Sequence, residues 1–227
     1  MSMYHRALRA AYNRALKWEW IEKNPFLKVE VAKTTAGSTT RNMSFGEVQK
    51  LLNAIDEDGD AEFGNLIRFL LYTGCRRNEI RCLRFEDVDR ENWTLKIYAQ
   101  KTGKDMVLPI NKALKRVIEG MDWGEGYIFK SRSGGHRAKF KEQPWSESWV
   151  THRFKSYIRE CGLAEEYRLH SLRHTYSSFL IEQGIPIDIV SKLLGHSSVR
   201  VTADNYDHSL ALHFRSQADL VDFENNS

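Results

Sequence analysis

Apolar and polar residues alternate along most of the chain with the period of an amphipathic helix. The clearest helix begins at Ser44 and Glu47, which have the spacing of a capping box. Its apolar positions lie three and four apart: Val48, Leu51, Leu52 and Ile55. The next helix also has an apolar stripe. This helix should end at Gly74, because glycine tolerates a left-handed backbone. That stripe consists of Phe63, Leu66, Ile67, Leu70 and Leu71. Further helices are predicted over 145–161, 169–183 and 187–194.

A period of two replaces the helical period in the middle of the chain. Residues 93–99 and 106–110 alternate as strands on either side of Lys101-Thr102-Gly103-Lys104. This pattern predicts an antiparallel hairpin with two lysines in its turn. We therefore expect a mainly α fold with a small antiparallel β-sheet, in the α+β class.

The N-terminal stretch is set apart from the rest. Residues 3–22 have the pattern of one helix, which Asn24-Pro25 ends, and 33–41 have the composition of a linker. A single helix cannot bury its apolar face alone, so it either packs on the main domain or is the last helix of a preceding one. The pattern divides the chain into an N-terminal segment over residues 1–32, a linker over 33–41 and a main domain over 42–227. An amphipathic segment, 210–223, ends that domain.

Composition narrows the class of protein. The chain has 227 residues, 41% hydrophobic and 28% charged, which is typical of a globular protein. No apolar run approaches the roughly 18 residues of a membrane span, and the N-terminus lacks a secretory signal, so we expect a cytoplasmic protein without membrane contact. Cys75, Cys82 and Cys161 are odd in number and scattered, which argues against disulfides and zinc motifs. The net charge of +4 permits a polyanionic partner.

Four short motifs require a common explanation: Thr73 to Ile80, Lys101 to Lys104, His170 to His174, and Leu194-Gly195-His196 followed by Tyr206. In this order they resemble the catalytic signature of the tyrosine recombinases, the phage integrase family, over roughly residues 42–216. Each motif is common by itself, whereas the ordered set is specific. The resemblance implies the catalytic-domain fold of that family, a remnant of its core-binding domain at 1–32, and strand exchange on DNA through a 3′-phosphotyrosine. It implies this catalytic set: Arg76, Lys101, His170, Arg173, His196 and Tyr206.

The residue types suit that chemistry. Attack on a phosphodiester adds negative charge to its non-bridging oxygens, and the planar, always charged fork of arginine binds such oxygens best. By the resemblance, Arg76 and Arg173 form this clamp. His170 shares a helix face with Arg173, three residues away, and the two can point at one phosphate. Glu79, three residues after Arg76, suits a carboxylate that orients the basic groups.

Proton transfer needs further residues. A tyrosine phenol has a pKa near 10, so only about one in a thousand is ionised at neutral pH, and we expect His170 to assist Tyr206. Lys101 in the hairpin turn is the expected acid for the leaving 5′ oxygen, and His196 is expected to hydrogen-bond the phosphate. Tyr206 follows His196 by ten residues, whereas many family members have nine. The competing tyrosines are Tyr72, Tyr98, Tyr157, Tyr167 and Tyr176.

Double-stranded DNA is the expected partner. Contacts are predicted from a basic, mobile loop over 130–141 and from the helix over 145–161, which by resemblance lies against the major groove. The candidate contact residues are Arg132, Arg137, Lys139, Lys141, Ser148, Thr151, Arg153 and Lys155. The resemblance implies a tetramer on DNA through the C-terminal segment, a monomer when free, association with a bacterial or phage nucleoid, and room for accessory DNA-bending or directionality proteins.

Simpler readings of the same residues stay open. Arg76 could be an exposed helix-end arginine, and His170 could cap its helix. A metal held by His170 and His174 is disfavoured because no acidic ligand or cysteine lies nearby, and we expect neither a metal nor another cofactor. The competing functions are a helix-turn-helix regulator built on residues 187–206, a type IB topoisomerase, and a recombinase fold with an inactive site.

Overall fold

The computed structural model describes residues 3–29, 42–98, 105–131, 142–195 and residue 221. The chain divides into two compact units, Met1–Thr39 and Thr40–Ser227. The predicted linker over 33–41 lies outside the described residues. No helix in the described ranges has the length and apolar character that a membrane span requires.

The first unit contains α1, Met3–Lys17, and a 3₁₀ turn, Pro25–Leu27. The prediction of a helix to residue 22 was wrong by five residues, because Glu19 adopts a left-handed backbone with φ of 59°. Asn24 then caps the 3₁₀ turn and donates to the carbonyl of Arg9 at 3.1 Å, which brings the chain back along α1. The apolar face of α1 stays largely exposed, with Leu8 at 42%. Its assignment to a preceding domain stays a prediction.

The second unit is mainly helical with one small sheet, so the predicted fold class is confirmed. Its elements in chain order are α2 Phe45–Glu57, α3 Ala61–Thr73, α4 Arg77–Arg81, β1 Val88–Asp89, β2 Thr94–Tyr98, β3 Asp105–Pro109, α5 Lys112–Glu119, α6 Glu147–Glu160, α7 Leu169–Glu182 and α8 Ile187–Leu193. A 3₁₀ turn, Phe85–Asp87, precedes β1. The strands are antiparallel in the order β1-β2-β3.

Helix α3 forms the centre of this unit. It begins at the side-chain cap Asp60 and packs against α2, α5 and α7. The predicted stripe is buried, but Phe69 and Tyr72 are buried as well. Because three helices surround α3, its apolar surface extends nearly all round rather than along one stripe. Asn111 caps α5 and also donates to the carbonyl of Tyr72 at 3.1 Å, which ties α5 to the end of α3.

The other predicted elements match closely. Ser44 and Glu47 form the expected capping box, and the hairpin strands pair as predicted, although the turn over 99–104 lies outside the described residues. Helix α6 begins at Glu147 rather than Trp145, because Ser146 caps it and the backbone amide of Trp145 donates to Phe129. The sequence pattern did not predict α4, α5 or β1.

Gly74 ends α3 in the left-handed conformation, with φ of 63°. The position is also crowded: a Cβ here would lie 2.4 Å from Cδ1 of Tyr176 in α7 and 2.7 Å from Cδ2 of Leu194 after α8. Both the backbone angle and the close approach therefore require glycine. This turn fixes where the chain leaves α3 and where α4 begins.

We predict that Gly74→Ala lowers the free energy of unfolding by about 2–5 kcal/mol, because it combines left-handed strain with overpacking. Gly59→Ala is the matched control: Gly59 also has a positive φ, of 70°, but open space around its Cβ position. It should cost only the backbone term of about 1–2 kcal/mol. Urea unfolding of both variants measures the difference, and equal losses would contradict the packing role of Gly74.

Candidate active site

Arg76 is held at the start of α4 by Glu79. One carboxylate oxygen of Glu79 accepts the backbone amide of Arg76 at 2.7 Å, and the other accepts its Nη1 at 2.8 Å. The Glu79 side chain is 6% exposed, whereas that of Arg76 is 36% exposed. Glu79 therefore sits beneath Arg76 and fixes both its backbone and its guanidinium, while part of the guanidinium still reaches solvent.

Arg173 in α7 is almost fully buried, at 4% exposure. Its Nη1 donates to the carbonyl of Gly74 and its Nη2 to the carbonyl of Leu194, both at 2.7 Å. Burial, and after it the positive charge of Arg76, lowers the pKa of Arg173. The charge of Arg76 thus acts on Arg173, the other arginine predicted for the clamp. Arg173 also joins the backbone at Gly74 to the backbone at Leu194.

His170 lies in the first turn of α7 and is exposed, one turn before Arg173. Its ring packs edge-on against that of His174, with ring centroids 4.7 Å apart. Burial, and then the charge of Arg173, lowers the pKa of His174, which favours its neutral form. The contact with the His174 ring limits how the His170 imidazole can turn. In the described part of the chain, no cluster of three or more candidate metal ligands occurs.

A cavity of about 520 Å³ joins α4, α6 and the start of α7. Arg76, Glu79 and His170 are brought together there, and Arg173 is not among its lining residues. The full lining is Cys75, Arg76, Arg77, Asn78, Glu79, Thr151, Phe154, Lys155, Arg168, Leu169 and His170. Four of these are Lys or Arg and one is a carboxylate, so the cavity favours an anion.

The sequence reasoning did not select Arg77 and Arg168 as cavity residues. Arg77 follows Arg76 in α4, and Arg168 precedes α7. The spacing of residues along the sequence does not single out either position. They line the cavity only because α4, α6 and the start of α7 come together in the fold. The signal available in the sequence was their basic character, with Arg77 inside the first motif and Arg168 just before the third.

The alternative nucleophiles among the described residues are poorly placed. None of the competing tyrosines lines the cavity, and four of them are buried: Tyr72, Tyr157, Tyr167 and Tyr176. Cys75 does line it, but burial raises the pKa of its thiol to about 12, so the thiol stays protonated. Several predicted residues lie outside the described residues: Lys101, His196, Tyr206, Arg132, Arg137, Lys139 and Lys141.

The four candidate DNA contacts of α6 divide between two faces. Ser148 is exposed, and Thr151 and Lys155 line the cavity one turn apart. Arg153 faces elsewhere: its guanidinium binds Asp58 at 2.6 Å and Asp60 at 2.9 Å. A phosphate would have to displace two carboxylates to reach Arg153, so this side chain joins α6 to the loop between α2 and α3.

Residues 41–213 match the model of the phage integrase family, and they cover the cavity and every motif named above. The chain belongs to the phage integrase family. It is 31% identical over 202 residues to the tyrosine recombinase XerA of Pyrococcus furiosus. This match covers 87% of this chain and 66% of that protein. It is also 31% identical to the tyrosine recombinase XerA of Pyrococcus horikoshii, over 73% of this chain and 56% of that protein. A probable integrase/recombinase protein of Methanocaldococcus jannaschii is 27% identical, over 70% of this chain and 47% of that protein. The chain thus spans about half to two thirds of these relatives.

Solved structures share the fold. An integrase of the Tn1549 transposon, in complex with transposon right end DNA, has a TM-score of 0.68 at 18% identity, over 93% of this chain and 77% of that one. A lambda integrase tetramer bound to a Holliday junction has a TM-score of 0.66 at 21% identity, over 89% of this chain and 60% of that one. These neighbours confirm the predicted family fold.

We predict that Arg173→Lys and Arg76→Lys differ in their effect on stability. Lysine at 173 has one ammonium nitrogen in place of the separate Nη1 and Nη2, and a carbonyl that loses its donor in this buried site should cost about 1–3 kcal/mol. Lysine at 76 keeps a partly exposed ion pair with Glu79 and should cost less than about 1 kcal/mol. Chemical denaturation of the two variants measures this difference. Similar stabilities would contradict the joining role of Arg173.

Proposed function

We propose that this chain is the catalytic part of a site-specific DNA recombinase, which cleaves and rejoins strands through a covalent 3′-phosphate link to Tyr206. The observation that carries the proposal is the cation-rich cavity, which receives Arg76 from α4 and His170 from α7, with Arg173 tied beside it. Its residues come from distant motifs of one family. The integrase of the Tn1549 transposon is in complex with DNA, and double-stranded DNA is the substrate class that we propose for this cavity.

The arginines supply electrostatic stabilisation. Attack on phosphorus places added negative charge on the two non-bridging oxygens, and fixed guanidiniums oppose that charge without reorganising. Arg76, partly exposed and fixed by Glu79, presents its guanidinium to the cavity. Arg173 adds a second positive charge from beneath. Loss of one such donor is expected to slow cleavage about 10²- to 10³-fold.

The proposed step exchanges one phosphoester bond for another. The Tyr206 hydroxyl oxygen bonds to phosphorus, and its proton passes to His170. The bond from phosphorus to the 5′ oxygen breaks, and Lys101 protonates that oxygen so that it leaves as a hydroxyl rather than an alkoxide. His196 donates a hydrogen bond to the phosphate. Attack by a 5′ hydroxyl on the phosphotyrosine reverses these transfers and rejoins a strand, so the reaction needs no cofactor.

DNA is held by phosphate contacts along α6 and by the loop over 130–141. Ser148, Thr151 and Lys155 form the face of α6 that continues into the cavity. Assembly as a tetramer on DNA through the C-terminal segment, and the help of accessory proteins, belong to the same proposal. Val221 is buried in the core of its own chain, so an exchanged segment would have to replace that contact.

The competing functions explain less. A helix-turn-helix regulator needs only phosphate and base contacts, and would have no use for Arg76 and His170 in one cavity. A type IB topoisomerase shares the covalent chemistry but relaxes supercoiled DNA of arbitrary sequence. Plasmid relaxation without sequence preference would therefore favour the topoisomerase over the recombinase.

We predict that Tyr206→Phe abolishes covalent capture of DNA while binding is retained. The probe is a pool of nicked duplexes with a randomised centre. After cleavage, the short fragment between the cleavage site and the nick diffuses away, and its loss prevents rejoining. Protein-linked DNA is then recovered after denaturation and sequenced. The wild-type chain should capture a defined sequence, and Tyr206→Phe none.

Tyr98→Phe is the matched control, because Tyr98 is an exposed tyrosine outside the cavity. It should capture DNA as the wild-type chain does. A covalent adduct with Tyr206→Phe would show that the nucleophile is misassigned. The absence of any adduct with the wild-type chain would contradict the proposed function itself.

We predict that Lys101→Ala slows cleavage strongly on normal DNA and far less on DNA whose leaving 5′ oxygen is replaced by sulfur. A thiolate is a stable leaving group that needs no proton, so the acid becomes dispensable. Single-turnover cleavage of the two substrates by wild-type and variant chains gives the comparison. Equal slowing on both substrates would remove Lys101 from the acid role.

A further inference from the structure

Helix α4 carries Arg76 at its start but has only five residues, Arg77–Arg81. A helix of little more than one turn is not stable alone, so contacts with its neighbours must fix its position. Glu79 fixes the first residue from within. The outer side of α4 faces α6, and contacts with the start of α6 fix it.

Glu147, in the first turn of α6, is the centre of those contacts. Its Oε2 pairs with the guanidinium of Arg77, and its Oε1 accepts Nδ2 of Asn78 at 2.7 Å. The same Oε1 lies 3.8 Å from Nη2 of Arg81. One carboxylate thus contacts three side chains along the outer side of α4.

Two uncharged groups of the same region complete the network. Nη1 of Arg77 donates to Oγ1 of Thr151, one turn further along α6, at 2.9 Å. Nη1 of Arg81 donates to the carbonyl of Trp145, just before α6, at 2.7 Å. The start of α6 therefore binds α4 at both of its ends, and Thr151 does so from the cavity wall.

We propose that Glu147 is a positioning residue, which transmits the placement of α6 on DNA to the orientation of Arg76. The inference rests on the proposed function. When phosphates contact the Ser148 and Lys155 face of α6, Glu147 keeps α4 in register with that helix, so that Arg76 meets the scissile phosphate. A displacement of about 1 Å in such a group can cost about 100-fold in rate.

The exposure and the negative charge of Glu147 also favour a positioning role. The Glu147 side chain is 49% exposed, and ion pairs that are exposed to this degree each add little to stability. Its carboxylate also lies on the helix that faces DNA, where its charge repels phosphates. A negative charge at this place is unfavourable for binding, which is understandable if the residue serves orientation instead.

Glu147→Gln separates these effects because it keeps the size of the side chain and removes its charge. With the nicked duplex that the wild-type chain captures, we expect the cleavage rate constant at saturating DNA to fall about 10-fold, with a dissociation constant that is equal or lower. A merely structural role would weaken binding and cleavage together. An unchanged rate constant, or a parallel loss of both, would overturn the inference.

Glu160→Gln is the matched control. Glu160 ends the same helix and accepts a hydrogen bond from Oγ of Ser156 at 2.6 Å, without contacting α4. It should leave the cleavage rate constant at saturating DNA unchanged. A loss equal to that of Glu147→Gln would mean that any charge removed from α6 slows the reaction, and would overturn the inference.

Thr151→Val provides a test that changes no charge. It removes the hydroxyl that accepts from Arg77 and keeps the shape of the side chain, and we expect a several-fold slower cleavage rate constant. In the double variant with Glu147→Gln, the cleavage rate constant should fall by less than the product of the two single fold-decreases, because both substitutions act through Arg77. Fully multiplicative effects would overturn the inference.

Failure of the inference and failure of the proposed function give different results. If the wild-type chain captures no DNA covalently, the proposed function fails. If it captures DNA and Glu147→Gln cleaves at the wild-type rate, only the positioning role fails. Both outcomes are obtained with the complete chain on the same duplex.

Discussion

The buried guanidinium of Arg173 holds together two turns of the chain, the one that ends α3 and the one that follows α8. A buried positive charge without partners would be costly, and Arg173 meets that cost by donating to the carbonyls of Gly74 and Leu194. Gly74 is the left-handed end of α3, two residues before Arg76. Leu194 is the end of α8, two residues before His196. A single side chain of α7 thereby ties the backbone next to two of the family's motifs, and Gly74 allows the close packing that this requires.

The same arrangement explains why the two arginines differ. Arg173 is enclosed and shapes the backbone, whereas Arg76 is partly exposed and reaches the cavity. Two like charges so close would repel each other, and Glu79 offsets this with a carboxylate that is almost buried beneath Arg76. The cavity therefore retains an excess of positive charge that a phosphate can neutralise.

Much of the fold could be predicted from the sequence where a local signal was strong. Ser44 and Glu47 placed the start of α2, and Gly74 placed the end of α3, because caps and left-handed turns depend on a few neighbouring residues. Helix α4 was missed because five residues are too few to display a helical period. For the site, motif order predicted that Arg76 and His170 would meet. No local pattern could predict that Arg153 would bind Asp58, since that pair depends on how α6 crosses the loop after α2.

Helix α6 shows why contacts between distant positions of the chain cannot be predicted from local sequence patterns and yet determine how a site works. Its residues divide by helical position: Arg153 binds the loop after α2, Thr151 and Lys155 face the cavity, and Glu147 holds α4. Glu147 and Arg77 are 70 positions apart, and glutamates in the first turn of a helix are common because they favour its dipole. Only the packing of α4 against α6 gives this glutamate a second role. A helix that contacts the core and the arginine-bearing helix at once, and that we propose to contact DNA as well, can make the geometry of binding a condition for catalysis.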